Sequence, residues 1–177
     1  MAKLQIGDEL IPFKLPGTDG AEHSTEDFSD KQALVVIFSC NHCPYVRAWE
    51  DRMVEIQREY ADKGVQLVAV NANDDVKYPE DSFEEMKKRA AEKGFNFPYL
   101  RDDTQEVARA YGAERTPEVF VFDRDRKLRY HGAIDDNYEN PQLVRRSYLR
   151  EALDALLAGS QVPTTETPPV GCTIKWR

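Results

Sequence analysis

The sequence predicts an α/β domain with a central mixed β-sheet, flanking helices and an N-terminal β extension. Two observations support this: short β-branched runs typical of strands buried on both faces, and amphipathic helical segments that alternate with them. The length of 177 residues suits one compact domain with a hydrophobic core. We expect this domain to span residues 1–160. Residues 161–177 are predicted to form an extended, loosely held C-terminal tail packed on or near it.

The N-terminal extension is predicted from turn chemistry. Residues 11–20 combine alternating apolar residues with strong turn formers. This pattern indicates a short strand, a turn at Asp19-Gly20 and a second short strand. A further turn is expected at 27–30, before the continuous apolar run 34–38, which is the first predicted strand of the central sheet.

A βαβ unit follows this strand. Apolar residues recur three to four positions apart from Tyr45 to Tyr60, which predicts a helix with one apolar face that ends near Gly64. Residues 66–71 resume a buried strand. Because a helix of this length makes a crossover connection, the two strands are predicted to be parallel.

The second half of the chain is predicted to contain three more helices and a β-hairpin. Helical patterns are expected over 79–93, 104–111 and 143–157. Two strand-like segments, 119–122 and 128–130, flank a charged turn, and this arrangement predicts the hairpin.

Charge and hydropathy argue against several classes of partner. Lys and Arg number 24 and Asp and Glu number 32, which gives a net charge of −8. Nucleic-acid binding requires a positive surface, so no nucleic-acid partner is expected. No apolar stretch approaches the roughly 18 residues that a membrane helix needs, and the first residues carry no secretory signal pattern. We therefore expect a cytoplasmic protein without a membrane partner, and the sequence leaves its oligomeric state open.

The motif Cys40-Asn41-His42-Cys43 lies where a buried strand ends and a helix begins. Unpaired N–H groups at a helix start stabilise a thiolate and lower the pKa of the nearer cysteine. Two thiols at this spacing can close a disulfide, and one can attack a partner's disulfide to form a mixed disulfide. We assign Cys40 as the attacking thiol and Cys43 as the resolving thiol. A protonated His42 near the thiolate would favour the reduced form.

A second motif, Thr116-Pro117, immediately precedes a predicted strand. With the C-x-x-C after the first buried strand, it resembles the thioredoxin superfamily, in which this proline is cis and faces the cysteines. The N-terminal Pro-x-Phe-x-Leu stretch and the following Asp-Gly resemble the peroxiredoxin-like branch of that superfamily. The resemblance covers about residues 5–158 and implies a thioredoxin-like fold. It also implies that the Thr116 backbone pairs with an extended segment of a bound substrate.

The sequence departs from both families in two places. Peroxiredoxins resemble one another in a Pro-x-x-x-Thr-x-x-Cys site, and if Cys43 took the peroxidatic place, Cys40 would stand where the threonine belongs. Thioredoxins carry a buried acid in the strand before the motif, where this chain has Leu34. Glu50 or Asp51 are the candidate substitutes for that acid.

Cys172 is a candidate third thiol. The segment 169–176 around it resembles the ending of a particular peroxiredoxin-like group, which implies that the tail returns to the C-x-x-C motif. In that position Cys172 would resolve an intermediate on Cys40. The alternative is a tail cysteine without a chemical role.

These motifs favour an enzyme, a thiol–disulfide oxidoreductase that acts on protein or small-molecule thiols and disulfides through Cys40 and Cys43. Two alternatives remain: a peroxiredoxin-like thiol peroxidase with antioxidant activity, and a non-enzymatic thiol-based sensor or binding module. No organic cofactor is expected, since the sequence has no glycine-rich phosphate loop. No metal is expected either, because a second C-x-x-C or an H-x3–5-H is absent from the sequence.

Overall fold

The computed structural model describes residues 4–177, so the first three residues of the predicted domain 1–160 lie outside the described residues. The described residues form nine strands and four helices. In chain order these are β1 (Lys14–Pro16), β2 (Glu22–Ser24), β3 (Ala33–Phe38), α1 (Pro44–Tyr60), β4 (Val65–Asn71), α2 (Phe83–Lys93), β5 (Tyr99–Arg101), α3 (Glu106–Tyr111), β6 (Arg115–Thr116), β7 (Glu118–Phe122), β8 (Leu128–Gly132), α4 (Tyr148–Leu157) and β9 (Cys172–Thr173).

The central sheet has five strands in the order β5-β4-β3-β7-β8. β3 pairs in parallel with β4 and antiparallel with β7, while β7 and β8 form the predicted hairpin. Every residue of β3 is buried, and its side chains alternate between two hydrophobic cores, with Val35 in one and Val36 in the other. The prediction of a mixed sheet whose central strands are covered on both faces is therefore confirmed.

Helices cover both faces of this sheet. The apolar residues of α1, α2 and α4 pack into one core, in which Trp49 and Met53 are almost fully buried. α3 and the N-terminal segment contribute to the other core, where Phe13 and Tyr111 make an edge-to-face contact. The N-terminal β extension is the antiparallel pair β1 and β2. No helix formed by residues 4–177 is long and apolar enough to cross a membrane.

Three helices begin later than the hydropathy pattern predicts, and α3 begins at Glu106 instead of residue 104. In the segment 79–93, Ser82 has an extended backbone and its side chain accepts a hydrogen bond from Glu85 N, so α2 begins only at Phe83. A 3-10 turn over Pro79–Asp81 precedes it. The C-terminal helix begins at Tyr148 instead of residue 143. The end of α1 agrees with its prediction, because Gly64 has a left-handed backbone with φ +87° after a short 3-10 turn.

The C-terminal tail, residues 161–177, is called the strap below. It is extended, and backbone hydrogen bonds hold it to the domain, whereas the sequence predicts a loosely held segment. His131 exchanges backbone hydrogen bonds with Thr165 and Thr167, at 3.0 Å each. Further along, Ile174 N donates to Glu114 O at 2.9 Å, and β9 pairs antiparallel with β6.

Candidate active site

The C-x-x-C loop joins β3 to α1. Cys43 is the N-cap of α1, and Pro44 is the first helical residue, a position where the missing N–H of proline costs nothing. The helix therefore begins after the second cysteine of the motif. Both cysteines are buried, with Cys40 1% exposed and Cys43 0% exposed.

The second motif lies directly against these two thiols. The Thr116–Pro117 bond is cis, as the resemblance implies. The Thr116 hydroxyl lies 3.5 Å from Cys40 Sγ, and Cys43 Sγ lies 3.4 Å from the Thr116 carbonyl oxygen. The structure thus brings together four of the predicted site residues, which are far apart in the sequence.

The surroundings of the two thiols shift their pKa values in opposite directions. The pKa of Cys43 is lowered to about 4, chiefly because its sulfur accepts a hydrogen bond from Cys40. Burial acts in the opposite direction and raises this pKa. Hydrogen bonds from the side chain and backbone of Cys172 and from the Val46 N–H lower it further. The pKa of Cys40 is raised well above its ordinary value, first by that same hydrogen bond, then by burial and by the nearby Asp81. These pKa shifts favour ionisation of Cys43 over ionisation of Cys40.

This result bears on the roles predicted for the two cysteines. Unpaired N–H groups at a helix start lower the pKa of whichever cysteine lies nearer that start. Because α1 begins at Pro44, that cysteine is Cys43, whereas the sequence analysis gave the attacking role to Cys40.

A buried carboxylate lies beside Cys40. Asp81, 0% exposed, is in the 3-10 turn before α2, and its Oδ2 lies 2.5 Å from Nδ1 of His42 without the alignment of a hydrogen bond. The His42 ring stacks on Tyr78 with ring centroids 5.8 Å apart. His42 thus lies at the site, but its contacts are with the carboxylate and an aromatic ring.

A backbone N–H and an amide side chain hold Asp81 in place. Asn41 N donates to Asp81 Oδ1 at 2.7 Å, and Asn73 Nδ2 donates to Oδ2 at 3.0 Å. Asn41 also accepts from the Tyr99 hydroxyl at 2.7 Å, which ties the cysteine loop to β5.

Sequence reasoning missed Asp81 as the buried acid. The candidates it named are occupied elsewhere: Glu50 pairs with Arg89, and Asp51 pairs with Lys93 at the surface. The polar run that begins at Asn71 points to this edge of the sheet, because the carboxyl ends of neighbouring parallel strands meet there, but it does not include Asp81.

Cys172 lies on the strap strand that covers the site. In the β6–β9 pair, Cys172 is directly opposite Thr116, and its side chain packs against the cluster formed by Cys40, Cys43 and Val46. Gly171 approaches so closely that a Cβ atom there would lie 2.1 Å from the Thr116 carbonyl oxygen. The strap itself therefore occupies the edge at which the sequence analysis expected a substrate to pair.

A buried charged group fixes the segment before Pro117. Glu118 accepts from the backbone N–H groups of Glu114 and Arg115 at 2.9 Å each, and its other oxygen lies 2.6 Å from His131 Nε2. His131 Nδ1 lies 3.0 Å from a carboxylate oxygen of Glu166 in the strap. One imidazole thus links the strand after Pro117 to the strap.

One group of side chains has the donor set of a metal site. Cys40, His42 and Asp81 each place a ligand atom within 4.8 Å of the others. Thiolate and imidazole donors suit zinc or another soft cation. The expectation of no metal rests on motif spacing and stays a prediction.

Comparison with known proteins agrees with this geometry. The AhpC/TSA family pattern matches residues 6–131, so this chain belongs to the AhpC/TSA family. Its fold is thioredoxin-like.

Individual relatives are consistent with the family. A hypothetical protein from Sinorhizobium meliloti 1021 is 39% identical, with 99% of this chain and 97% of that chain covered and a TM-score of 0.93. An uncharacterized conserved protein from Geobacillus kaustophilus is 45% identical, with 98% and 93% covered and a TM-score of 0.93. The protein named thiol-disulfide oxidoreductase ResA from Bacillus thuringiensis (strain Al Hakam) is 26% identical over 129 residues, which cover 71% of this chain and 68% of that protein.

Proposed function

We propose that the protein is a thiol–disulfide oxidoreductase whose redox pair is Cys40 and Cys43. The observation that carries this proposal is geometric: the two sulfurs of the C-x-x-C motif are buried in one cluster, and both contact Thr116 beside the cis Pro117. The relatives named thiol-disulfide oxidoreductase support the same reaction class.

In the first step, the Cys43 thiolate attacks one sulfur of a partner's disulfide. A Cys43–partner disulfide forms, the partner's own S–S bond breaks, and the other partner sulfur leaves as a thiolate that takes up a proton. The low pKa of Cys43 keeps this nucleophile ionised at neutral pH.

In the second step, Cys40 attacks Cys43 in the mixed disulfide. A Cys40–Cys43 disulfide forms, and the partner leaves with its second sulfur reduced. Cys40 must lose its proton for this attack, and the Asp81 carboxylate and the His42 imidazole, each with a ligand atom within 4.8 Å of its sulfur, are bases that can accept it. The reverse sequence oxidises a partner dithiol.

The partners are protein or small-molecule thiols and disulfides. Both sulfurs are buried beneath the strap, so a partner reaches them only after the strap has moved from β6. Thr116 then offers its backbone to an extended segment of the partner, the role predicted for Thr116 and Pro117.

Turnover tests this function. Reduction of a protein disulfide or of oxidised glutathione, supplied with excess dithiol reductant, should be catalysed by the wild type and lost in Cys43→Ser. Cys40→Ser, which cannot form the Cys40–Cys43 disulfide, should turn over more slowly than the wild type. Asp51→Asn, a change at an exposed side chain of the same helix, is the matched control and should retain the wild-type rate. Equal rates in wild type and Cys43→Ser would refute the proposal.

A thiol peroxidase is the second candidate, favoured by the low pKa of Cys43 together with its family. In that reaction, the Cys43 thiolate attacks a peroxide, becomes a sulfenic acid and releases water or an alcohol. Stoichiometric peroxide with a sulfenic-acid probe distinguishes the two functions, because exchange alone leaves Cys43 unlabelled.

A further inference from the structure

A segment of the chain itself, β9, covers the site, although the exchange reaction of Cys40 and Cys43 does not require it. β9 pairs with β6 beside Pro117, and this pairing places Cys172 opposite Thr116. The Thr116 carbonyl and hydroxyl are the groups that contact the two redox sulfurs. A thiol on the opposing strand at this register faces the same sulfur cluster, and Cys172 packs on it.

The strap is held on both sides of Cys172, so this position is built into the fold. On one side, Gly171 lies against the Thr116 carbonyl, and Arg115 Nη1 donates to Gly171 O at 3.3 Å. On the other side, Ile174 is 3% exposed, and Lys175 N donates to Asn73 Oδ1 at 2.9 Å.

The chain end is also anchored. Arg177 contacts the carboxylates of Asp74, Asp75 and Asp103, and the Trp176 ring lies 4.4 Å from the Arg109 guanidinium carbon. These contacts together hold Cys172 against the cluster that contains the two other thiols.

We propose that Cys172 is a third redox-active thiol, which β9 presents to Cys43 in the place of a partner's cysteine, and that a Cys43–Cys172 disulfide forms during the catalytic cycle. This proposal rests on the function proposed above and extends it to the strap. The sequence predicts Cys172 as a resolver of Cys40, but the cysteine side chain that hydrogen-bonds with Cys172 is Cys43.

The reaction is a thiol–disulfide exchange and needs no oxidant besides the partner's disulfide. When Cys43 holds a partner, Cys172 attacks the Cys43 sulfur; the Cys43–Cys172 bond forms, the bond to the partner breaks, and the partner thiolate takes the proton that Cys172 gave up. Cys40 then attacks Cys43, which gives the Cys40–Cys43 disulfide and returns Cys172 to the thiol. As β9 pairs again with β6, the strap both expels the partner and covers the site.

The experiment uses the full chain with Cys40→Ser, which retains only Cys43 and Cys172. The reduced protein is treated with oxidised glutathione, free thiols are alkylated, and tryptic peptides are mapped by mass spectrometry. Arg47 and Arg150 lie between the two cysteines, so a disulfide joins two separate peptides. At about 0.1 mM glutathione we expect at least about tenfold more Cys43–Cys172 disulfide than glutathione adduct, because tethered groups reach millimolar effective concentrations. Cys40→Ala is a second background that gives the same readout.

Gly171→Ala in the Cys40→Ser background tests the strap geometry without changing a thiol. The added Cβ meets the Thr116 carbonyl oxygen and displaces β9, so the ratio of Cys43–Cys172 disulfide to glutathione adduct should fall at least about tenfold. Val170→Ala, at a neighbouring exposed residue, is the matched control and should leave this ratio unchanged.

The outcomes separate the two proposals. A Cys40–Cys43 disulfide in wild type and in Cys172→Ser, with only glutathione adducts in Cys40→Ser and Cys40→Ala, overturns the role of Cys172 and leaves the proposed function intact. Absence of the Cys40–Cys43 disulfide in both wild type and Cys172→Ser overturns the proposed function itself.

Discussion

At the scale of single residues, the charge of the site is set by contacts around two sulfurs. Cys43 accepts from Cys40 and lies at the N-terminus of α1, and both contacts favour its thiolate. Asp81 places a negative charge near Cys40 and opposes ionisation there. The two thiols of one motif therefore differ in reactivity because their surroundings differ.

The first prediction concerns the ionisation of Cys43. A pKa of about 4 means that, as pH falls, the thiolate persists through neutral pH and is lost only near that value. The ultraviolet absorbance of thiolate in the reduced protein should therefore show a transition near pH 4 that is missing in Cys43→Ser. A thiolate that appears only near the ordinary cysteine pKa of about 8.5 would contradict this account.

Asp81→Asn provides the second prediction. Removing this negative charge favours the Cys40 thiolate, so the pKa of Cys40 should fall. In the Cys172→Ser background, where only Cys40 can release glutathione from the Cys43 mixed disulfide, the pH profile of that release should then move to lower pH. Glu80→Gln removes an exposed charge from the adjacent residue and should leave the profile in place. A shift to higher pH in Asp81→Asn would contradict the assigned electrostatics.

Site residues could be predicted from the sequence where a local motif marks them. The C-x-x-C and the Thr-Pro pair identified Cys40, Cys43, Thr116 and Pro117, which the structure brings together. Asp81 belongs to no such motif. It reaches the site because β4 lies beside β3 and delivers the following turn to the cysteine loop, a tertiary effect without a local pattern.

At the scale of elements, the strap is the feature that most changes the expected mechanism. It crosses the hairpin near His131 and continues over Thr116 as β9. Gly132 permits this crossing, because a Cβ there would lie 2.1 Å from Thr167 Oγ1. The strap thus depends on close backbone packing at two separate glycines, Gly132 and Gly171.

Thr167→Val tests this attachment. The Thr167 hydroxyl accepts from Ala133 N at 3.0 Å and contacts the Tyr130 hydroxyl at 2.8 Å. Its loss should lower the free energy of unfolding by about 1–3 kcal/mol, because partners buried beneath the strap lose a hydrogen bond. Amide hydrogen exchange at Ala133 and Thr167 should become faster. Thr165→Val, whose side chain is exposed, is the control; equal exchange in the two variants would contradict a tightly held strap.

Elements were predictable from the sequence where an apolar pattern is long enough to show a period. α1 and β3 carry such patterns, and both agree with their predictions. β6 and β9 have two residues each and show no period, so each can be identified as a strand only from its pairing with the other. The start of α2 was missed because the Ser82 cap overrides the helical pattern before it.

At the scale of the whole molecule, two hydrophobic cores keep the cysteine loop and the Pro117 turn at the same edge of the sheet. β3 leads into the loop and β7 begins just after Pro117, and these strands are neighbours. Both alternate their side chains between the two cores, so packing on either face of the sheet supports the register that sets the distances within the site.

Phe122→Ala tests the contribution of the second core. Phe122 is fully buried in β7, and its ring lies 6.1 Å from the Tyr111 ring, edge to face. The truncation should lower the free energy of unfolding by about 3–5 kcal/mol in denaturant titrations of the reduced protein. Val76→Ala, at a residue 80% exposed, should change that free energy by no more than about 0.5 kcal/mol. A loss below about 1 kcal/mol for Phe122→Ala would show that this core contributes little.

The central claim is that Cys40 and Cys43 form a reversible disulfide pair, and an equilibrium redox titration tests it most directly. The full chain is equilibrated in graded dithiol–disulfide buffers, alkylated, and mapped for the cysteines that pair. We predict a Cys40–Cys43 disulfide with a midpoint between about −270 and −120 mV, the range of known exchange proteins. If Cys40 and Cys43 remain unpaired across that range, the protein is not the oxidoreductase proposed here.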